Sequence, residues 1–109
     1  MWLPHKILQQ ISRGVSRNKL SILYYHQVLE EADDYRVDEL SKEQFEQQML
    51  VLKRYFNPID LNEALILLAQ GQLPANSICV TFDDGYANNL TVAGPILKRF
   101  GIPSTIYIA

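Results

Sequence analysis

An apolar run that ends abruptly in two carboxylates constrains this chain more than any other feature of its sequence. Residues 78–82 read Ile-Cys-Val-Thr-Phe, which is typical of a buried β-strand. The residues that follow directly are Asp83, Asp84 and Gly85. Two adjacent like charges cost free energy unless a cation, a shared proton or solvent relieves them. The end of this strand is therefore a candidate metal site or acid–base site.

Patterns of strand type and helix type alternate along the chain. The predicted strands are 20–28, 78–82 and 104–108, which are rich in β-branched and aromatic residues, and 58–60 is a candidate very short strand. The predicted helices, in which apolar residues recur at helical spacing, run from Ser41 through Phe56, from Asp60 to Gly71 and from Asn88 to Phe100. Residues 30–39 are polar and acidic and are predicted to form a loop. This alternation implies right-handed parallel crossovers and an α/β fold.

The helix boundaries carry their own signals. Ser41 precedes Gln44 by three residues, and Asp60 precedes Glu63 by three, so both pairs predict capping boxes. Pro95 lies inside the last predicted helix and should kink or restart it, because proline lacks the amide hydrogen that a helix interior needs.

The predicted sheet has too few strands to close into a barrel. About three full strands are expected, whereas about eight close the standard parallel barrel. An open sheet of this size would leave wide apolar faces exposed. The chain is therefore expected to be the front part of a larger domain.

Length and composition exclude several classes of protein. The chain has 109 residues, of which 48% are apolar, so one small domain with a packed core is expected. The net charge of −2 favours neither nucleic acid nor an anionic substrate. Cys79 is the one cysteine and is expected to be a small buried apolar residue. An intrachain disulfide and zinc sites built on paired cysteines are excluded.

Residues 1–19 are predicted to form a basic amphipathic helix. Its apolar residues are interrupted by polar ones at helical spacing, and no acidic residue appears before Glu30. Such a helix either lies on an anionic membrane surface or packs as an ordinary surface helix. The same interruptions argue against a signal peptide, and no apolar run approaches the roughly 20 residues of a membrane span. The expected location is cytoplasmic or peripheral to a membrane.

The chemistry of the strand end follows from its place in the fold. In parallel α/β proteins, functional residues collect at the carboxyl ends of strands. One carboxylate can bind a divalent cation while the other accepts a proton from a bound water. Alternatively, the acidic pair caps the following helix or ends the strand in solvent. The spacing of Asp83 and Asp84 leaves both interpretations open.

Three segments in order resemble the polysaccharide deacetylase family, known as the NodB-homology domain and as carbohydrate esterase family 4. TFDDGY at 81–86 is similar to the first motif of that family, and PILKRFGIPSTIYI at 95–108 is similar to its continuation. LYYHQV at 23–28 resembles the "YH-x-V" strand of a subgroup that includes deacetylases of poly-N-acetylglucosamine. The resemblance covers residues 20–109.

The resemblance implies a fold and an activity. It implies that residues 20–109 are a partial deacetylase domain, the N-terminal portion of a deformed (β/α) barrel with parallel strands. It implies hydrolysis of N- or O-acetyl groups on a glycan, with an N-acetylglucosamine polymer as the expected substrate and a divalent metal, expected to be zinc, as the cofactor.

The resemblance also implies roles for five residues at matching motif positions. Asp83 would be the general base, and Asp84 would be a metal ligand. His26 would be the acid that delivers a proton to the leaving amine. Gly85 and Tyr86 would line the rim where the substrate binds.

One departure from the family pattern concerns the metal. The family completes its metal site with an H-x-x-x-H segment, but the histidines of this chain are His5 and His26, and neither fits. The 109 residues alone are therefore expected not to bind zinc tightly or to turn over substrate. A non-catalytic remnant or binding fragment is the main alternative. A phosphatase of the haloacid-dehalogenase type is disfavoured, because it needs D-x-D and the two aspartates here are adjacent.

Overall fold

The computed structural model describes residues 19–35, 39–83 and 89–107. The elements in chain order are β1 (Ser21–Tyr25), β2 (Val28–Leu29), β3 (Leu40–Ser41), α1 (Lys42–Tyr55), β4 (Asn57–Pro58), α2 (Leu61–Ala69), β5 (Ser77–Phe82), a π-helical turn (Asn89–Ala93), α3 (Gly94–Phe100) and β6 (Ser104–Ile106). The predicted N-terminal helix lies outside the described residues except for Lys19. Within the described part of the chain, no helix has the length and apolar character needed to cross a bilayer.

The strand β5 is the centre of a four-stranded sheet. β1 pairs along one edge of β5, from Ser21 opposite Ile78 to Tyr25 opposite Phe82. The other edge is shared, with β4 at the beginning of β5 and β6 at its end. Every one of these pairings is parallel, which confirms the predicted α/β class. The in-register pairing of β1 with β5 brings the carboxyl ends of the two strands side by side.

Both faces of β5 are covered. All six of its residues are buried, as expected for a strand between two layers. Ile78, Val80 and Phe82 pack into the main apolar cluster together with side chains of α1 and α3. Cys79 belongs to a smaller cluster with Ala64 of α2. The sheet therefore lies between α1 and α3 on one side and α2 on the other.

Helix α1 begins as the sequence predicts. The amide of Gln44 donates to Ser41 Oγ at 3.3 Å, and the amide of Ser41 donates to Gln44 Oε1 at 3.0 Å, which completes the capping box. The predicted apolar stripe is core, because Phe45 and Met49 are fully buried. At α2, the side chain of Asp60 accepts from the Glu63 amide at 3.3 Å.

The segment before α3 departs from a regular helix in the way that Pro95 predicts. Residues Asn89–Ala93 form a π-helical turn, and the α-helix restarts at Gly94 with Pro95 in its first turn. Gly101 then ends α3 with a φ of 65°, a left-handed conformation that glycine favours at this position.

Several predicted strand boundaries are wrong, including that of the short strand 58–60, which lies at Asn57–Pro58. β1 ends at Tyr25 rather than continuing to Val28, so His26 follows the strand instead of lying in it. Val28–Leu29 instead forms a separate short strand that pairs in parallel with Leu40–Ser41, a pairing that was not predicted. β6 was predicted to be buried through Ile108, but its residues are half-buried and the strand ends at Ile106. Strands of two or three residues are too short to show a periodic pattern.

Candidate active site

The adjacent ends of β1 and β5 position His26 and Asp83. The amide of Asp83 donates to the main-chain oxygen of Tyr25 at 2.8 Å, which extends the β1–β5 ladder by one bond beyond the last paired residues. His26 is the residue after Tyr25, so both side chains leave the sheet at the same point. Parallel pairing in register is what brings together two residues that lie 57 positions apart in sequence.

The two side chains lie within ion-pair distance of each other. His26 Nε2 is 3.8 Å from Asp83 Oδ2, which is longer than a direct hydrogen bond. The side chains keep 51% and 38% of their surface exposed, so both are accessible to a molecule that binds at the strand ends. An ion pair forms when the histidine is protonated, and at this exposure it contributes little to stability, about 0.2–1 kcal/mol. The arrangement offers one proton acceptor and one proton donor to a common site.

The chain is similar in sequence to several named proteins. No protein-family profile matches it. It is 35% identical over 92 residues to YxkH of Bacillus subtilis, a candidate polysaccharide deacetylase by its name; the match covers 83% of this chain and 32% of that protein. It is 33% identical over 89 residues to the poly-β-1,6-N-acetyl-D-glucosamine N-deacetylase of Staphylococcus aureus; here the match covers 81% of this chain and 30% of that protein. Over the matched residues, the chain is similar to proteins named as polysaccharide deacetylases.

A solved structure supports the same relationship. The fold of this deacetylase-related chain is similar to IcaB from Ammonifex degensii, with a TM-score of 0.71 and 32% sequence identity. The match covers 82% of this chain and 37% of that one. The prediction of an α/β fold corresponding to part of a polysaccharide deacetylase is confirmed. The chain spans about a third of the length of the curated relatives that it matches.

Three of the predicted site residues are outside the described part of this deacetylase-related chain. They are the predicted metal ligand Asp84 and the predicted substrate-binding residues Gly85 and Tyr86. Among the residues that the structure does describe, no group of three or more histidine, cysteine, aspartate or glutamate side chains could hold a metal ion. Those residues alone therefore do not fit the metal that the deacetylase resemblance implies.

Sequence reasoning missed a buried polar pair beneath the site. The hydroxyl of Tyr25 donates to Gln48 Oε1 at 2.5 Å, and both side chains are buried. Burial raises the pKa of the Tyr25 phenol well above its usual 10.0, so this group stays protonated and keeps donating. A signal was present in the sequence. Gln48 is a polar residue next to Met49 on the apolar face of α1, and strand alternation places Tyr25 on the same face as Leu23.

Glu39 is a second residue near the site that the sequence did not single out. Its Oε2 accepts from the amide of Gln27 at 3.0 Å and so holds the chain just after His26. The sequence predicted that Glu39 would end an acidic loop, and nothing in its neighbours distinguished it from the other loop carboxylates.

An open groove lies elsewhere on the surface, between α1 and α3. It has a volume of about 330 Å³ and is lined by Glu43, Glu46, Gln47, Leu50 and Phe100. Arg99 forms an ion pair with Glu46 and stacks over Phe100 at 5.1 Å. Neither His26 nor Asp83 lines this groove, so it is separate from the candidate active site.

Proposed function

We propose that this chain carries the acid–base part of the active site of a metal-dependent polysaccharide deacetylase. The observation that carries the proposal is the 3.8 Å approach of His26 Nε2 to Asp83 Oδ2 at the shared carboxyl ends of β1 and β5. The relationship to polysaccharide deacetylases supplies the reaction class. In this class, an acetyl group is hydrolysed from a glycan to give acetate and a free amine or hydroxyl.

The two side chains are proposed to act as a general base and a general acid in turn. The carboxylate of Asp83 takes a proton from a water molecule as the water oxygen attacks the acetyl carbonyl carbon. The resulting tetrahedral intermediate collapses when the carbon–nitrogen bond breaks. Protonated His26 gives its proton to the departing nitrogen, which leaves as the amine. Asp83 then holds the extra proton and His26 has lost one, and their proximity favours the return of that proton, directly after a small movement or through one water.

Asp84 is proposed as a ligand of a divalent metal, with zinc as the expected ion. When bound there, such an ion would supply Lewis-acid chemistry, making a nearby water more acidic and favouring negative charge on the carbonyl oxygen. A single carboxylate binds a divalent ion weakly, and this sequence has two histidines, of which one is the proposed acid. We therefore propose that the 109 residues alone do not turn over substrate and that further ligands are needed.

The proposed substrate is a glycan that contains N-acetylglucosamine. The name of the Staphylococcus aureus relative supports this class, since that protein acts on poly-β-1,6-N-acetyl-D-glucosamine. Gly85 and Tyr86 are proposed to line the rim that this glycan contacts.

Acetate release from N-acetylglucosamine oligomers with added zinc tests the proposal. The chain alone should release none, whereas a chimera in which it replaces the matching part of the Staphylococcus aureus relative should release acetate. In the chimera, Asp83→Asn and His26→Gln should each lower kcat by about 10²–10⁴-fold, the usual contribution of a positioned acid or base. Asp34→Asn, the same change at an exposed loop carboxylate, should leave kcat unchanged.

The outcomes separate the proposal from its alternatives. A folded chimera that releases no acetate would favour a non-catalytic remnant. Equal rates for Asp83→Asn and Asp34→Asn would remove Asp83 from the reaction. Zinc titration of the chimera with Asp84→Ala tests the metal role separately. The affinity of the chimera for zinc should fall, and an unchanged affinity would show that Asp84 is not a ligand.

A further inference from the structure

Tyr25 is linked to both proposed catalytic residues. Its main-chain oxygen accepts the Asp83 amide at 2.8 Å, and its peptide bond leads directly to His26. Any rotation of the backbone at Tyr25 therefore moves His26 and releases Asp83 together. The direction in which the two side chains leave the sheet depends on how firmly this one residue is held.

The side chain of Tyr25 is held by contacts with α1 and β5. Its hydroxyl donates to Gln48 Oε1 at 2.5 Å. Its ring meets Phe45 of α1 edge to face, with centroids 5.2 Å apart and an interplanar angle of 78°. The centroid of the same ring lies 5.6 Å from the ring centroid of Phe82, the residue just before Asp83. The ring contacts fill the space around Tyr25 but do not fix its orientation. The hydrogen bond does, because turning the hydroxyl away from Gln48 would leave a buried donor without its acceptor, which is costly.

A second hydrogen bond holds the chain on the other side of His26. The amide of Gln27 donates to Glu39 Oε2 at 3.0 Å, next to the start of β3. His26 thus lies between two residues whose backbones are each bonded to a different part of the fold. Its side chain is half exposed, although the main chain on both sides of it is fixed.

We propose that Tyr25 and Gln48 form a positioning pair that aligns His26 with Asp83. Neither residue touches substrate. The buried hydrogen bond transmits the position of α1 to the end of β1, and the end of β1 sets the relative placement of the two catalytic side chains. The kinetic consequence rests on the proposed deacetylase function, whereas the structural alignment does not.

Hydrogen exchange of backbone amides in the 109-residue chain tests the alignment without any assay of activity. The double variant Tyr25→Phe/Gln48→Leu removes both polar partners while keeping their volume, so overall stability should change little. We expect the Asp83 amide, bonded to Tyr25, to exchange about tenfold faster in this variant. The Ile59 amide, which donates to Ile78 at the opposite end of β5, should exchange at its original rate.

Ser77→Ala is the matched control. It removes another hydrogen bond of a buried side chain, from Ser77 Oγ to the main-chain oxygen of Pro74 at 2.6 Å. Ser77 lies at the beginning of β5, about 20 Å from Asp83 along the strand. This variant should leave the exchange rate of the Asp83 amide unchanged. If the double variant does not fold, Tyr25→Phe in the chimera gives the kinetic readout, and its stability loss, caused by leaving the buried Gln48 without this partner, is measured alongside.

In the chimera, the double variant should lower kcat about tenfold and leave KM unchanged, because misalignment affects the reaction rather than glycan binding. Equal acceleration of exchange at Asp83 and Ile59 would show a general loss of stability and would overturn the proposal, as would an unprotected Asp83 amide in the unaltered chain. A chimera that shows no acetate release, together with selective exchange at Asp83, would overturn the deacetylase function and leave the alignment standing.

Discussion

Cys79 lies in the middle of β5 with 1% of its surface exposed, where a thiolate would be poorly solvated. Burial, and secondarily the nearby negative charge of Asp60, raises the pKa of the Cys79 thiol from 9.0 to about 11. The Cys79 thiol therefore keeps its proton to higher pH in the folded state than in the unfolded state. The stability linked to this group is complete below pH 9 and is lost as pH rises from 9 towards 11.

Substitution of Cys79 should reduce the alkaline sensitivity of the fold. Between pH 8 and pH 11, the unaltered chain should lose on the order of 2 kcal/mol more unfolding free energy than Cys79→Ala does. The small cavity left by alanine lowers stability at both pH values and cancels in this comparison. Urea unfolding at the two pH values measures the effect. Parallel losses in both proteins would show that the thiol does not titrate in this range.

The residues of the candidate site differ in how far their sequence surroundings reveal them. Asp83 was singled out because it follows an apolar run of strand type, and His26 was singled out by the resemblance to the deacetylase family, although it was expected to lie within its strand. Tyr25 and Gln48 were not, because an aromatic residue in a strand and a glutamine in a helix have many uses. Their relationship depends on where α1 lies over the sheet, and the approach of α1 is a property of packing.

Among the elements, α1 allows the sharpest test, because its capping box is complete. Ser41→Ala removes the side chain that accepts from the Gln44 amide and should lower unfolding free energy by about 1 kcal/mol. Gln44→Ala removes the reciprocal bond and should have a smaller destabilising effect. Gln47→Ala is the same substitution at an exposed position of the same helix and should be neutral or slightly stabilising. Thermal unfolding of the three variants measures this order, and equal melting temperatures for Gln44→Ala and Gln47→Ala would contradict it.

Elements with strong local signals were predicted well, and those set by distant partners were not. The N-caps of α1 and α2 and the restart of α3 at Gly94, just before Pro95, follow from a few neighbouring residues. The parallel pairing of β2 with β3 joins two-residue segments across an acidic loop, so no local pattern could reveal it. The shared edge of β5 is another such case, since the sequence order of strands does not say that β4 and β6 divide one side between them.

For the whole molecule, one main cluster joins β1, α1, β5 and α3, and Phe45 is fully buried within it. Phe45→Ala should lower unfolding free energy by about 3–5 kcal/mol, which is a large share of the roughly 5–15 kcal/mol typical of a folded domain. Tyr55→Ala truncates another aromatic residue of α1, but its side chain is mostly exposed, so the change should stay within about 0.5 kcal/mol. Urea denaturation compares the two. A loss at Phe45 no greater than that at Tyr55 would mean that α1 does not pack as described.

Ser41 belongs to two elements at once, as the last residue of β3 and as the cap of α1. The pairing of Ser41 with Leu29 therefore also fixes the residue at which the helix begins. Insertions in the exposed stretch 30–35 precede Ser41 in the chain, so they need not change the strand pairing or the start of the helix. A deletion between Glu39 and Ser41 would move the carboxylate away from Gln27 and rotate the start of α1 in the same event. Homologous chains should consequently vary in length within the loop and keep a constant length from Glu39 onward into the helix.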